Sequence, residues 1–293
     1  MTAAEDRILV LARSRGFCSG VRAALAALEK LLAEHPETPV CVLHDLVHNR
    51  HVRASFARRG VRFIDGLDEL PPGACLLLGA HGVSPETERR ARELARLVVD
   101  TTCPVVRARQ REAAQLGSGD TLLLLGHSRH QETLGILGWS GAGTNLVAES
   151  AEESARIDLP PDPVLLTQTS FDIFELARCR GILERRCPGL SFRGGPCGAA
   201  LARQAEVEKL AKFVEVVVVA GSPHSSNARQ LCKTAERCGA RSVLAGSAAE
   251  LPSELFECRR VGLTSGASTP DADVDEISAA FSASGFRIGE TSP

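Results

Sequence analysis

Three cysteines stand out by where they sit rather than by their number. Cys18, Cys103 and Cys197 are 85 and 94 residues apart. Each occupies a Gly- or Pro-marked turn entering a helical stretch: Cys18-Ser19-Gly20-Val21, Cys103-Pro104-Val105 and Cys197-Gly198-Ala199. A thiol at a helix N-terminus ionises readily. Three thiolates from three separate loops can hold three irons of a [4Fe–4S] cluster. The fourth iron then has no protein ligand and is open to substrate as a Lewis acid and electron relay. The competing reading is that these are ordinary packed thiols. That reading suits Cys41 and Cys75, inside apolar strands, and Cys179, Cys232, Cys238 and Cys258, in helices or at their edges. Cys187-Pro188 imitates Cys103-Pro104 but closes a helical stretch instead of following a strand, so it is set aside as a ligand.

A second set consists of strand-end histidines and hydroxyls. His48, His81 and His130 occupy equivalent positions after short apolar runs, and Ser225-Ser226-Asn227 and Ser268 lie in matching loops. An isolated histidine is most often a packed or solvated residue. Together, however, these residues make an anion cradle, because hydroxyls, amides and helix N-terminal N–H groups can wrap a diphosphate without Arg or Lys. An adjacent phosphate would favour the cationic imidazole. Glu132 lies two residues past His130, beside a glycine-bounded loop. Either it is a solvated surface carboxylate or, pointing into a cleft next to Thr169, it passes protons to a leaving hydroxyl.

The elements that must carry these loops alternate between short Val- and Leu-rich runs and amphipathic stretches. This is the pattern of parallel sheets covered on both faces, and the class is α/β. Strands are expected over 7–11, 40–43, 74–78, 97–100, 121–125, 145–147, 163–166, 214–220, 241–245 and 260–264. Helices are expected over 21–34, 51–59, 85–96, 105–116, 171–186, 201–212 and 226–238. Nearly every strand is followed by Cys, His, Ser, Thr or Asn, and ligands of open α/β sheets bind outside the carboxyl ends of strands. The cysteine spacing fits three sub-domains of roughly 90 residues, each presenting one thiolate to a common centre.

Composition narrows the function classes. Of 293 residues, 44% are hydrophobic and 24% charged, which excludes disorder, collagen-like repeats and coiled coil. Lys and Arg number 34 against 36 Asp and Glu, a formal charge of −2. No global basic field is available to hold nucleic acid or an anionic membrane, so any anion must be caught locally. There is no long uncharged apolar stretch and no basic, then apolar, N-terminal leader, so a cytoplasmic protein is expected. Ten cysteines in this length fall short of a disulfide scaffold, and no C-x-x-C occurs. There is no Tyr to act as acid or base. The P-loop, dinucleotide-binding, G-x-S-x-G and H-E-x-x-H patterns are absent.

Eight motifs, in order, carry a resemblance. They are Arg15-Gly16-Phe17-Cys18-Ser19-Gly20-Val21, Val47-His48-Asn49-Arg50, Ala80-His81-Gly82-Val83-Ser84, Asp100-Thr101-Thr102-Cys103-Pro104, Gly126-His127 through His130-Gln131-Glu132, Thr167-Gln168-Thr169, Gly221 through Ser225-Ser226-Asn227, and Gly266-Ala267-Ser268-Thr269-Pro270. Together they resemble the 4-hydroxy-3-methylbut-2-enyl diphosphate reductases, the IspH/LytB family, over nearly the whole chain. The resemblance implies a trefoil of three α/β sub-domains with mainly parallel sheets around a central iron–sulfur cluster. They would span 14–102, 103–195 and 196–285, with the strand over 7–13 packing against the third. It implies a two-electron, two-proton reductive dehydroxylation of an allylic alcohol diphosphate to isopentenyl and dimethylallyl diphosphates, the last step of the methylerythritol phosphate route. Cys18, Cys103 and Cys197 would bind the cluster, and His48, His81, His130, Ser225, Ser226, Asn227 and Ser268 the diphosphate. Glu132 would deliver protons, His130 would assist the relay, and Thr169 would orient the substrate hydroxyl. A ferredoxin or flavodoxin would supply electrons.

Two departures from the family pattern stand in the chain. His130-Gln131-Glu132 replaces the usual His-Pro-Glu, removing a φ restraint from the loop that holds the acid. Ala200 replaces a Thr after the third cysteine, in Ala199-Ala200-Leu201-Ala202-Arg203-Gln204. They leave room for a paralogous [4Fe–4S] reductase of another allylic diphosphate. A non-catalytic cluster-bearing sensor is the alternative from a different class.

Overall fold

A run that is apolar at every position cannot lie half-exposed in a sheet and needs cover on both faces. Leu122, Leu123, Leu124 and Leu125 are all fully buried, as are Val216, Val217, Val218 and Val219. The computed structural model describes residues 7–47 and 49–290, so His48 lies outside the described residues. In chain order the elements begin β1 (Ile8–Leu11), α1 (Ser19–Glu34), β2 (Val40–Leu43), α2 (Arg50–Arg58), β3 (Arg62–Ile64), β4 (Cys75–Leu78), α3 (Pro85–Leu94) and β5 (Leu97–Asp100). They continue with α4 (Pro104–Ala114), β6 (Thr121–Leu125), α5 (Gln131–Trp139), β7 (Thr144–Ala148), α6 (Ala151–Arg156), β8 (Val164–Thr167), α7 (Ile173–Arg186) and β9 (Ser191–Gly194). The last are α8 (Gly198–Leu210), β10 (Val216–Ala220), α9 (Ser226–Arg237), β11 (Arg241–Ala245), β12 (Arg260–Ser265), α10 (Asp271–Ala283) and β13 (Arg287–Glu290).

The strands form three sheets, parallel throughout. The first is ordered β3-β2-β4-β5 and the second β7-β6-β8-β9, the same pattern twice. The third, β11-β10-β12-β1-β13, repeats it with a substitution. Here β1 takes the place beside β12 that β5 holds beside β4 and β9 beside β8, and β13 becomes the edge. Leu9 of β1 lies opposite Val261 on one side and Ile288 on the other. In each sheet the switch point falls between the first and third strands of the repeat, where a ligand crevice is expected: β2 and β4, β6 and β8, β10 and β12.

The described residues fall into two compact units. One holds 7–18, 49–52 and 198–290 and contains the third sheet, whose core packs Leu9, Val216, Val218, Val261, Leu263 and Phe281. The other holds 19–47 and 53–197 and contains the first two sheets. No helix among the described residues is long and apolar enough to cross a membrane.

The α/β class stands. Six elements escaped the sequence reading: β3, β9, β13, α5, α6 and α10. The three strands are edges, short or polar, without the all-apolar run that marks a central strand. The sequence of α5, with Gly135 and Gly138 inside it, reads as a loop yet is helical, because its first turn is capped and its face is buried. That corrects the setting of Glu132, which lies in the first turn of a helix and not beside a glycine-bounded loop.

Candidate active site

The larger unit assembles four of the sequence-predicted residues. Helix α5 starts at Gln131, with His130 as its N-cap: Nδ1 of His130 accepts the backbone N–H of Glu132 at 3.2 Å. An imidazole accepting at Nδ1 carries its proton on Nε2. Glu132 is only 2% exposed. Its carboxyl accepts the Thr169 backbone N–H at 2.5 Å and the Thr169 hydroxyl at 2.9 Å. Burial pushes the carboxyl up to about 7, against the downward pull of the Thr169 bonds and the charge of Arg109. An acid poised there can give or take a proton near neutrality. Across the His130 ring, at 5.2 Å and nearly perpendicular, stands His81. Gly82 beside it has φ +70, and a Cβ there would come within 2.5 Å of Gln110 Nε2, so the turn carrying His81 requires glycine.

Two cysteines are tied into the same group through backbone. The Cys103 N–H donates to Ala80 O at 3.0 Å, next to His81, and the Cys197 N–H donates to Thr169 O at 2.8 Å. Sequence reasoning missed two residues here. Glu149, at the end of β7, accepts from the Ser128 backbone N–H and hydroxyl and pairs with His127 Nδ1, fixing the loop that ends at His130. Those bonds hold its carboxyl down to about 2. Its signal was the strand-end position it shares with the others. Arg109 carries the charge nearest Glu132 by effect, and donates to Gly195 O at 3.1 Å.

The smaller unit gathers the Ser and Asn set. Ser225 caps α9, its hydroxyl accepting the Ala228 N–H at 3.3 Å. Ser226 and Asn227 occupy the first turn, both largely buried. Asn227 Oδ1 accepts the Ala267 N–H at 3.0 Å, whereas its Nδ2 is buried and donates to no hydrogen-bond partner among the described residues. A buried amide donor at a helix N-terminus, with hydroxyls beside it, suits an anion. Ser268 is half-buried in the turn after β12. From that same turn Ala267 O accepts the Cys18 N–H at 3.1 Å. Beside His48, which is not described, Asn49 caps the Val52 N–H and donates to Asp273 at 3.1 Å.

Each candidate thiol directly precedes a helix: Cys18 before α1, Cys103 before α4 and Cys197 before α8. All three are half-buried. By contrast, burial raises Cys41, Cys75, Cys179 and Cys258 above the ordinary thiol range and Cys232 to about 11, which keeps these protonated and inert. Among the described residues no three His, Cys, Asp or Glu side chains stand together as a single-ion site.

A family model described as LytB protein matches residues 9–282. The chain is 38% identical over 293 residues to 4-hydroxy-3-methylbut-2-enyl diphosphate reductase 2 of Rhodopseudomonas palustris, covering 96% of this chain and 90% of that protein. Among solved structures, the E-1-hydroxy-2-methyl-but-2-enyl-4-diphosphate reductase of Plasmodium falciparum matches with a TM-score of 0.89 at 25% identity, over 98% of this chain and 93% of that one. A second, an (E)-4-hydroxy-3-methyl-but-2-enyl diphosphate reductase described as the terminal enzyme of the non-mevalonate pathway, matches with a TM-score of 0.67 at 27% identity, over 94% and 99%.

Proposed function

This chain belongs to the LytB family, and from that membership we propose that it reductively dehydroxylates 4-hydroxy-3-methylbut-2-enyl diphosphate. The products are isopentenyl and dimethylallyl diphosphates and water, in the terminal step of the non-mevalonate route. Two electrons and two protons replace the C–OH bond by C–H and release the oxygen as water. The observation that carries this reading is the buried Glu132–Thr169 pair. A hydroxyl leaves far more easily when its oxygen is protonated, and Glu132, near 7, can be charged and recharged with a proton at working pH.

Around that pair the other residues take complementary roles. Thr169, held by Glu132, orients the substrate hydroxyl toward the acid. His130, whose Nδ1 is occupied by the helix, offers Nε2 to the diphosphate and to the proton relay. His48, His81, Ser225, Ser226, Asn227 and Ser268 bind the diphosphate. The Nδ2 of Asn227, buried without a hydrogen-bond partner among the described residues, supports that role, since a phosphate oxygen would satisfy it.

The donor set fits an iron–sulfur cluster. Three thiols that are half-buried and each directly precede a helix are the ones suited to ligation, and they are Cys18, Cys103 and Cys197. Three ligands on separate loops suit a [4Fe–4S] cluster with one open iron better than a single ion, since each thiolate takes a different iron. Such a group, when bound, supplies the reducing equivalents and a Lewis-acidic iron for the reacting end of the substrate. The three sheets fit a division into sub-domains 14–102, 103–195 and 196–285, one for each cysteine. The reading brings with it a ferredoxin or flavodoxin as electron donor and a cytoplasmic setting.

Anaerobic turnover with a reduced dye tests the proposal. The expected outcome is conversion of hydroxymethylbutenyl diphosphate to both five-carbon diphosphates by a brown protein with about four irons per chain. Iron-loaded protein that leaves the substrate intact would refute the function, and a colourless chain after anaerobic reconstitution would refute the cluster.

A further inference from the structure

Two arginines hold equivalent positions in the internal repeat. Arg109 stands six residues after Cys103, on α4, and Arg203 six residues after Cys197, on α8. Each reaches the carbonyl two residues before another cysteine. Arg109 Nη2 donates to Gly195 O at 3.1 Å, ahead of Cys197, and Arg203 Nη2 donates to Gly16 O at 2.7 Å, ahead of Cys18. Both side chains are largely sequestered, Arg203 at 4% exposed and the Arg109 side chain at 14%. Arg109 is braced by Glu112 at 2.9 Å and Arg203 by Ala199 O at 3.3 Å.

We propose that Arg109 and Arg203 are positioning residues, each fixing from a cysteine-headed helix the peptide that delivers another cluster-ligating cysteine. The inference rests on the cysteine assignment of the proposed function. The backbone at both straps is irregular, and at Gly16 the N–H is tied as well, donating to Ser265 Oγ at 2.7 Å. Gly194-Gly195-Pro196 follows a register shift at the end of β9, and Gly16 has φ +71. In each case the cysteine's own N–H is bonded too, to Thr169 O for Cys197 and to Ala267 O for Cys18. Each cysteine is therefore held on one side by an arginine and on the other by the loop carrying Thr169 or Ser268.

Gly194 adds an independent argument. A Cβ there would lie 2.2 Å from Arg109 Cζ, so the guanidinium lies against the bare Cα of the strand end. The obstacle is the far end of a flexible side chain, so alanine at 194 would evict the arginine without unfolding the strand. The third loop is held differently. The position six residues after Cys18 is Ala24, fully buried, and Thr101, two before Cys103, bonds Leu78 O through its own N–H and hydroxyl.

The test uses R109M, R203M and G194A, with R109K and R203K as conservative variants. In the metal-free chain, amide hydrogen exchange should quicken about tenfold over 195–197 in R109M and G194A, and over 16–18 in R203M. Each variant should leave the other segment within about twofold of wild type, and the lysine variants should fall between. The double variant G194A/R109M should lose no more than either single one. In reconstituted protein, bound iron should fall by about half, and kcat about tenfold with KM little changed, because the diphosphate residues are untouched. Equal exchange in both segments, additive loss in the double variant, or unchanged iron content would overturn the proposal. Because exchange is read without cluster or substrate, it decides the strap even if the wild-type chain proves inactive on hydroxymethylbutenyl diphosphate.

Discussion

A carboxyl buried to the extent of Glu132 ordinarily costs stability when ionised, and two bonds from Thr169 offset only part of that cost. The consequence runs in a definite direction. The folded carboxyl sits above its ordinary 4.5, at about 7, so its contribution to stability is present below about 4.5 and is lost as pH rises through 7. Glu132→Gln mimics the protonated acid, with an oxygen for the Thr169 N–H and an NH2 for its hydroxyl. Relative to wild type the variant should gain about 3 kcal/mol above pH 8, shrinking toward zero near pH 4.5, read by denaturant unfolding across pH. The same variant should lower kcat at least about a hundredfold with little change in KM. Asn227→Ala should do the opposite, raising KM for the diphosphate about tenfold while kcat changes less, because it removes a binding donor and no acid. What left Glu132 open between a solvated carboxylate and a cleft acid beside Thr169 is that nothing local decides between them. Its partner lies 37 residues away, and a glutamate next to polar residues is solvated by default. The histidines and hydroxyls stood out as candidates because they recur after apolar runs, a pattern in one dimension.

At the scale of elements, α5 shows how a weak helix is held in place. Its sequence contains two glycines and a tryptophan at the end, and its first turn depends on the His130 cap. Gln131 occupies N1, the one helical position where proline is favoured, and His130 has φ −74 and ψ 138, a conformation that a following proline accepts. The missing φ restraint therefore has a definite cost. Gln131→Pro should stabilise the protein by about 0.5–1 kcal/mol, measured by thermal or denaturant unfolding, without lowering turnover. The other departure, Ala200, sits buried at 3% exposed on α8, where a methyl packs without leaving a polar group to satisfy. Central strands were legible because every residue had to be apolar. Edge strands such as β9, reading Ser191-Phe192-Arg193-Gly194, were not, because one side has no strand to pair with and the composition relaxes accordingly.

For the whole molecule, the telling feature is one sheet pattern used three times, with the chain's first strand placed as the fourth member of the last copy. Cysteine spacing revealed the periodicity, but no local signal shows that β1 pairs with strands from the other end of the sequence. Leu9 is fully buried between β12 and β13 and belongs to the cluster containing Phe281. Leu9→Ala should cost about 2–5 kcal/mol in unfolding free energy and should loosen Cys18, whose segment follows directly. Amide exchange at 16–18, alongside a melting curve, checks both.

That placement also bears on how the protein is made. β1 is synthesised before the strands of the first two sheets, yet its neighbours β12 and β13 come after them. The first two sheets draw only on residues 40–194 and can close while translation continues. The third must wait, with β1 unpaired, until β12 is made, a pairing of long sequence separation and slow closure. Cys18, hydrogen-bonded to Ala267, gains its native setting only then. If Cys18, Cys103 and Cys197 hold the proposed cluster, its loading must follow the making of β12, and a nascent chain stalled before residue 260 should fail to acquire one.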